Sequence, residues 1–305
     1  MPSLGKEGLV MNVVGNRLGR ARDSYRSGWR IVLGVFALAT AAALPGIALG
    51  EESEQEELPG KLMIRGGWAY VFGTNADVTF RGSTTGVGAN VDFSQTLGGD
   101  TSTNAFRIEA LYRFNEHHGL GFAWYRVGLA GSTTLDQQIQ IEDLTINAGA
   151  TTNTSLGLNL YRLLYNYSFY RSEKVELAVS PGLYMANIDF LLSAQGTING
   201  VVGSATTVKE QLTLPLPSIG GFVNYNITPR LQSQVRGDFF YLQVGDYVGS
   251  MFEFYAGLEY RAFKHFAVGA AYDRLTVNVQ DQSRGGYEVN VGYNLLYLYG
   301  TIYLF

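Results

Sequence analysis

From residue 61 onward this chain alternates, and it does so in long runs. "KLMIRGGWAYVF" places Leu62, Ile64, Trp68, Tyr70 and Phe72 on one face and Arg65, Gly67 and Ala69 on the other. "NAFRIEALYRF" sets Phe106, Ile108, Ala110, Tyr112 and Phe114 against Arg107, Glu109, Leu111 and Arg113. "LQSQVRGDFFY" opposes Leu231, Val235, Phe239 and Tyr241 to Gln232, Gln234, Arg236 and Asp238. "MFEFYAGLEYRAF" does the same with Phe252, Phe254, Leu258 and Tyr260 against Glu253, Glu259 and Arg261. A period of two is the mark of a β-strand with two unlike faces. Ten such segments follow one another, at 61–72, 104–114, 119–131, 153–170, 174–193, 210–227, 231–244, 251–263, 266–280 and 287–305.

Many of these runs exceed the roughly 5–6 residues usual for soluble strands and reach the roughly 9–11 that a tilted strand needs to cross a bilayer. The links alternate in length. Asn115–His118, Arg171–Lys174, Thr228–Arg230 and Lys264–His265 are short and polar, whereas 73–103, 132–152, 196–208, 245–250 and 281–286 are longer. That order describes an antiparallel meander with tight turns at one end and long loops at the other. The expected fold is therefore all-β: an antiparallel transmembrane β-barrel of about ten strands, with eight or twelve as alternatives. In a soluble sandwich the apolar face would point inward; in a bilayer the sheet closes on itself and that face points outward.

The composition agrees. Hydrophobic residues make up 46% of the 305, with 20 Tyr and 17 Phe, and only 16% are charged, against roughly 25% in soluble domains. Before the alternating region stand Arg17, Arg20, Arg22, Arg26 and Arg30, the apolar run "IVLGVFALATAAA" (31–43) and the small residues of "ALG" (48–50). Basic, apolar, small is the order of a cleaved secretory signal peptide, so 1–50 is read as a signal, 51–60 as an acidic periplasmic leader and 61–305 as the barrel. Removing the six basic and two acidic residues of 1–50 from totals of 22 and 26 leaves a net charge of about −8. No basic patch speaks for nucleic acid. With no cysteine, disulfides, thiol chemistry and lipidation at cysteine are excluded.

The chain closes on "GYNLLYLYGTIYLF", in which Tyr293, Leu295, Tyr297, Tyr299, Tyr303 and Phe305 share one row and Thr301 interrupts it. "YLYGTIYLF" resembles the C-terminal β-signal of Gram-negative outer-membrane β-barrel proteins, with Tyr299, Tyr303 and Phe305 matching its row of hydrophobic residues. The likeness of pattern is to small barrels, loosely those of the outer-membrane protein W type. It implies an integral outer-membrane location, outer-membrane lipid and the barrel-assembly machinery as partners, and a C-terminal row that touches lipid.

With the aromatics outside, the other row faces the lumen. It carries Arg65, Arg107, Arg113, Arg162, Arg236 and Arg261 against Glu109, Glu176, Asp238, Glu253, Glu259 and Asp273. Six charges of each sign in a narrow barrel fit either a plug of ion pairs or a small polar pore. Two strands change character along their length: Leu156, Leu158 and Leu160 share parity with Arg162, and Leu275, Val277 and Val279 with Asp273. Either a bulge shifts the register, or the outer part of the lumen is apolar, forming a greasy vestibule. The resemblance implies that a barrel enzyme would carry a His at its outer rim, but His117, His118 and His265 fall in short turns and no G-x-S-x-G elbow is present. No metal site, cofactor or enzymatic activity is expected. The working function is a small passive channel for modest polar or amphipathic solutes; the alternative is a structural or surface-recognition barrel with a closed lumen.

Overall fold

The computed structural model describes residues 61–80, 90–141, 144–283 and 286–304; the segments read as a signal (1–50) and a leader (51–60), and Phe305, lie outside them. Among the described residues fourteen strands are formed: β1 (Leu62–Phe80), β2 (Asn90–Asp92), β3 (Thr103–Arg113), β4 (His118–Thr134), β5 (Ile139–Ile141), β6 (Leu144–Ile146), β7 (Thr151–Arg171), β8 (Val175–Val179), β9 (Gly182–Ile198), β10 (Val201–Asn226), β11 (Leu231–Val244), β12 (Tyr247–Phe263), β13 (Phe266–Asp281) and β14 (Tyr287–Leu304). All the pairings are antiparallel, and they close into a ring: β11-β12-β13-β14-β1-β3-β4-β7, then β8 and β9, then β10, which returns to β11. β8 and β9 are one wall segment interrupted at Ser180 and Pro181, where Ser180 N–H donates to Gly220 O at 2.8 Å and Ser180 O accepts from Gly220 N–H at 3.1 Å. Counted so, ten strands form the wall.

Alternation sorts the side chains as the period requires. Trp68, Phe106, Phe122, Leu163, Phe169, Phe239, Leu258, Val268, Leu298 and Ile302 are exposed on the outside, while Arg65, Arg107, Glu109, Arg162, Arg236, Glu253 and Asp273 are buried inside. An outer belt of aromatic and aliphatic residues around a closed ring leaves no backbone edge along the belt's lower part. Its chemistry is that of a surface meeting hydrocarbon.

The C-terminal row behaves differently from its expectation. Tyr293, Leu295, Tyr297, Tyr299, Thr301 and Tyr303 are buried inside the ring, and it is Leu296, Leu298 and Ile302 that face outward. Both rows of β14 are bulky, so alternation alone does not choose between them. The hydroxyls do. Tyr297 donates to the carbonyl of Arg107 at 3.1 Å, Thr301 to Glu259 at 2.8 Å, and Tyr303 to Glu259; hydrocarbon offers no such partners. Gly269 makes room for one of these rings, because a Cβ there would collide with the Tyr299 side chain.

The outer links also differ. The segment 196–208 is not a loop: β9 and β10 stay paired out to Ile198↔Val201 and turn through Asn199 (φ 50°) and Gly200 (φ 77°) alone, a two-residue hairpin turn that needs positive φ at both positions. Likewise 245–250 shrinks to Gly245 and Asp246, because Val244 pairs with Tyr247. In 73–103, a bulge between Phe72 and Asn75 carries β1 onward, β2 pairs back on it, and Phe93 is buried in the main inner cluster. A second apolar cluster (Leu97, Leu135, Ile139, Ile146, Ala150, Leu192, Ala194, Ile198) ties the outer extensions together.

Candidate functional site: the buried charge layer

The interior is layered. At the end carrying the short turns, Arg113 makes two bonds to Glu176, at 2.7 and 2.9 Å, and Glu176 also accepts from Ser168 Oγ (2.6 Å) and Asn224 Nδ2 (2.9 Å). Arg261 stacks over Tyr303, 5.5 Å from the ring centre. A crevice of about 10 Å³ lies here, lined by Thr228, Arg230, Glu259, Arg261 and Tyr303 among others; this is room for roughly one water molecule.

Above it the charges form one connected sheet of contacts. Glu109 lies among three guanidinium groups: Arg65 Nη1 at 3.1 Å, Arg107 Nε at 2.8 Å and Arg162 Nη2 at 3.1 Å. Glu253 accepts from Arg162 Nη1 at 3.2 Å, Arg236 Nη2 at 3.3 Å and the Tyr184 hydroxyl. Asp238 is bonded by Arg236 Nε (3.1 Å) and Tyr184 (3.0 Å), Asp273 by Arg107 Nη1 (2.5 Å), and Glu259 by Arg65 Nη2 (2.7 Å). Aromatic faces close the remaining sides. The Arg107 guanidinium lies 4.9 Å from the centre of the Tyr125 ring, Arg236 4.9 Å from that of Tyr255, and Arg65 4.3 Å from that of Tyr299. The cation–π contacts let planar guanidinium groups shed water while keeping a favourable partner on each side.

Desolvation makes this layer demanding. Arg107, Glu253, Asp238 and Asp273 have no exposed surface at all, so each charge depends wholly on its protein partners. A buried ion whose partner is removed costs about 3–5 kcal/mol.

Further out the lumen becomes apolar. β7 runs without a register shift through Leu156, Leu158, Leu160 and Arg162 against β4, and β13 likewise through Asp273, Leu275, Val277 and Val279 against β14. No bulge intervenes, so the apolar residues do face inward. They meet Val71, Val127, Leu129, Val291 and Leu295 in the main buried cluster, so the expected greasy vestibule is a packed layer. Tyr125 and Tyr293 join hydroxyls at its base.

Of the charges that alternation places on the inner row, Arg65, Arg107, Glu109, Arg113, Arg162, Glu176, Arg236, Asp238, Glu253, Glu259 and Asp273 enter ion pairs inside the ring. Arg261 stacks over Tyr303 at the rim. Sequence reading missed Tyr125, Tyr184 and Tyr255 and set Tyr297, Tyr299 and Tyr303 toward lipid, yet all six are buried in or beside the layer; an inward parity on strands rich in Tyr was the available signal. His117 and His118 lie at the β3–β4 turn and His265 at the β12–β13 turn, bonded to Ser168 O (2.8 Å), the Tyr165 hydroxyl and Tyr303 O (3.2 Å) respectively. Among the described residues no group of three His, Cys, Asp or Glu is placed to hold a metal ion.

Neither a protein-family model nor a curated protein sequence matches the chain. Solved structures do. The outer membrane protease OmpT from Escherichia coli superposes with a TM-score of 0.52 at 12% identity, covering 80% of this chain and 97% of that one. OprG from Pseudomonas aeruginosa (TM-score 0.35, 10% identity, 82% and 100% coverage) and the Pseudomonas putida toluene transporter TodX (0.34, 8%, 82% and 91%) match more distantly. At these identities the likeness concerns the fold, which is that of the Gram-negative outer-membrane β-barrels.

Proposed function

We propose that this chain is an integral outer-membrane barrel with a closed lumen, which acts through the surface of its outer strand extensions. The observation that carries this reading is the complete burial of Arg107, Asp238, Glu253 and Asp273 across the middle of the barrel, beneath a packed apolar layer. A pore lined by the same groups would leave them hydrated; here each carboxylate has guanidinium or hydroxyl partners. The geometry therefore favours the surface-recognition alternative over the passive channel. The outer extensions supply the working part, with a 26-residue β10 and a separate small apolar cluster that holds their shape. The inner carboxylates are engaged by guanidinium groups, and the three histidines sit in the short turns at the opposite end from these extensions, which supports a non-enzymatic role.

The test is current recording in planar bilayers containing the refolded protein. The closed-lumen reading expects no steady conductance above the bare membrane. A stable ohmic step, with an ion preference that changes in Arg236→Ala, would restore the channel.

A further inference from the structure

The ring is closed along only part of its height at one place. β10 and β11 pair from Asn226↔Gln232 up to Ile219↔Phe239 and no further. Beyond that point β10 continues to Val201 with β9 as its neighbour, and β11 continues to Val244 with β12 as its neighbour. Beyond Ile219 and Phe239 no ladder joins the two strands.

The sequence explains where the ladder stops. Gly220 exchanges both backbone bonds with Ser180, and the same register gives Ser218↔Gly182, Leu216↔Tyr184 and Leu214↔Ala186. Even-numbered residues of β10 therefore bond toward β9, and odd-numbered ones toward β11. Extending the β10–β11 register, the next two odd residues after Ile219 would face Tyr241 and Gln243. They are Pro217 and Pro215. Proline has no N–H to donate, so both donors that β10 would have given to the seam are missing, at consecutive bonding positions.

The consequence appears on the inner row. Arg236 and Asp238 of β11 are buried, yet Leu242 and Val244, with the same parity, are 48% and 62% exposed. In the extended register Leu242 would lie beside Leu216 and Val244 beside Leu214. An opening there would be apolar, with Leu214 and Leu216 on β10 and Phe240 and Leu242 on β11.

The surroundings decide what enters it. Outward-facing Ile219, Phe239 and Tyr241 beside the seam's foot are all exposed apolar or aromatic residues, whereas the outward row higher up reads Gln211 and Lys209 on β10 and Gln243 on β11. The foot of the seam lies in the upper margin of the apolar belt and its top lies above it. What bathes that foot in a bilayer is the acyl region of the outer leaflet. We propose that the β10–β11 seam is a lateral binding recess that takes a single acyl chain of an outer-leaflet lipid. This rests on the bilayer placement of the barrel, not on the closed lumen. Strand edges are not left open to lipid at this depth without a cost for each unsatisfied backbone group; the prolines remove two of the donors that would otherwise be stranded.

The test uses the absence of native cysteine. A fluorophore is attached to Leu242→Cys and, in a separate control, to Phe239→Cys, in vesicles of phospholipid with brominated acyl chains or with iodide in the buffer. Heat-modifiable gel mobility reports folding of each variant. The recess predicts that brominated chains quench the Leu242 site to within about twofold of the Phe239 control, and that iodide quenches it less. Adding Pro215→Val and Pro217→Val should restore the donors, extend the ladder and cut acyl-chain quenching at Leu242 severalfold. Quenching at Phe239 alone, quenching of Leu242 by iodide alone, or no change on replacing the prolines would overturn the proposal. Loss of quenching at Phe239 itself would instead indict the bilayer placement.

Discussion

Replacing Glu109 by alanine removes the acceptor around which Arg65, Arg107 and Arg162 converge, at 3.1, 2.8 and 3.1 Å. The three cations do not lose equally. Arg65 keeps Glu259 at 2.7 Å, Arg162 keeps Glu253 at 3.2 Å, and Arg107 keeps Asp273 at 2.5 Å, so none is left without an opposite charge. The loss is then that of charge-assisted hydrogen bonds, about 1.5–3 kcal/mol, and not the larger cost of a stranded buried ion. At about 1.4 kcal/mol per decade, this moves the folding equilibrium by roughly one to two orders of magnitude. Glu109→Gln preserves shape and one acceptor oxygen but turns an NH2 toward the guanidinium groups, so it should lie between the wild type and alanine. The assay is urea-induced unfolding in lipid vesicles, followed by tryptophan fluorescence and by heat-modifiable mobility. A cost below about 1 kcal/mol for Glu109→Ala, the level of a solvent-screened surface pair, would refute the reasoning, because it would mean that water already reaches these groups.

Leu298 is half exposed on the outer face of β14 and Tyr297 is buried beside it; Leu298→Arg should cost about 2–4 kcal/mol in vesicles, whereas Tyr297→Phe, which loses one hydrogen bond to Arg107 O, should cost about 1 kcal/mol in the same unfolding assay. Gly269→Ala brings a methyl against the Tyr299 ring and should destabilise by about 1–3 kcal/mol, an effect that Tyr299→Leu in the same chain largely relieves. Deleting Phe305 should lower the amount of assembled barrel in cells severalfold while leaving the unfolding free energy of protein refolded in vitro within about 3 kcal/mol of wild type, since one aromatic side chain contributes at most a few kcal/mol; normal surface levels would remove the β-signal reading.

Much of the wall was legible because alternation over ten or more residues admits few other structures. The ten segments read from the sequence correspond to the ten wall segments, and the charged row points inward as its pairing with outward aromatics demanded. What escaped has physical causes. Alternation states that two rows differ in direction, not which one is inside, and in β14 both rows are bulky; only the need of tyrosine hydroxyls for partners, met by Arg107 and Glu259, separates them. Beyond the bilayer belt the rule reverses, since a strand in water hides its apolar row, so Leu156, Leu158 and Leu160 point inward where aromatics lower on the same strand point outward. The Thr- and Gly-rich stretch around 196–208 reads as a loop by composition, yet Asn199-Gly200 is a strong hairpin-turn dipeptide and β9 pairs across it with β10. Pro215 and Pro217, two residues apart on a strand, carried the signal for the open seam: prolines spaced by the strand period delete donors on one edge only.

The proposed closed lumen is shut at its charged layer, and Ala123 sits at that layer. It is fully buried, faces inward on β4, and pairs with Glu109 on one side and Arg162 on the other. In a chain without native cysteine, the thiol of Ala123→Cys can be offered to a small, charged, water-soluble methanethiosulfonate added from both sides of the membrane. With the layer shut, labelling should be at least a hundredfold slower in the folded barrel than in the same protein unfolded in urea. Labelling of the folded barrel at the rate of a thiol in an exposed turn would contradict it.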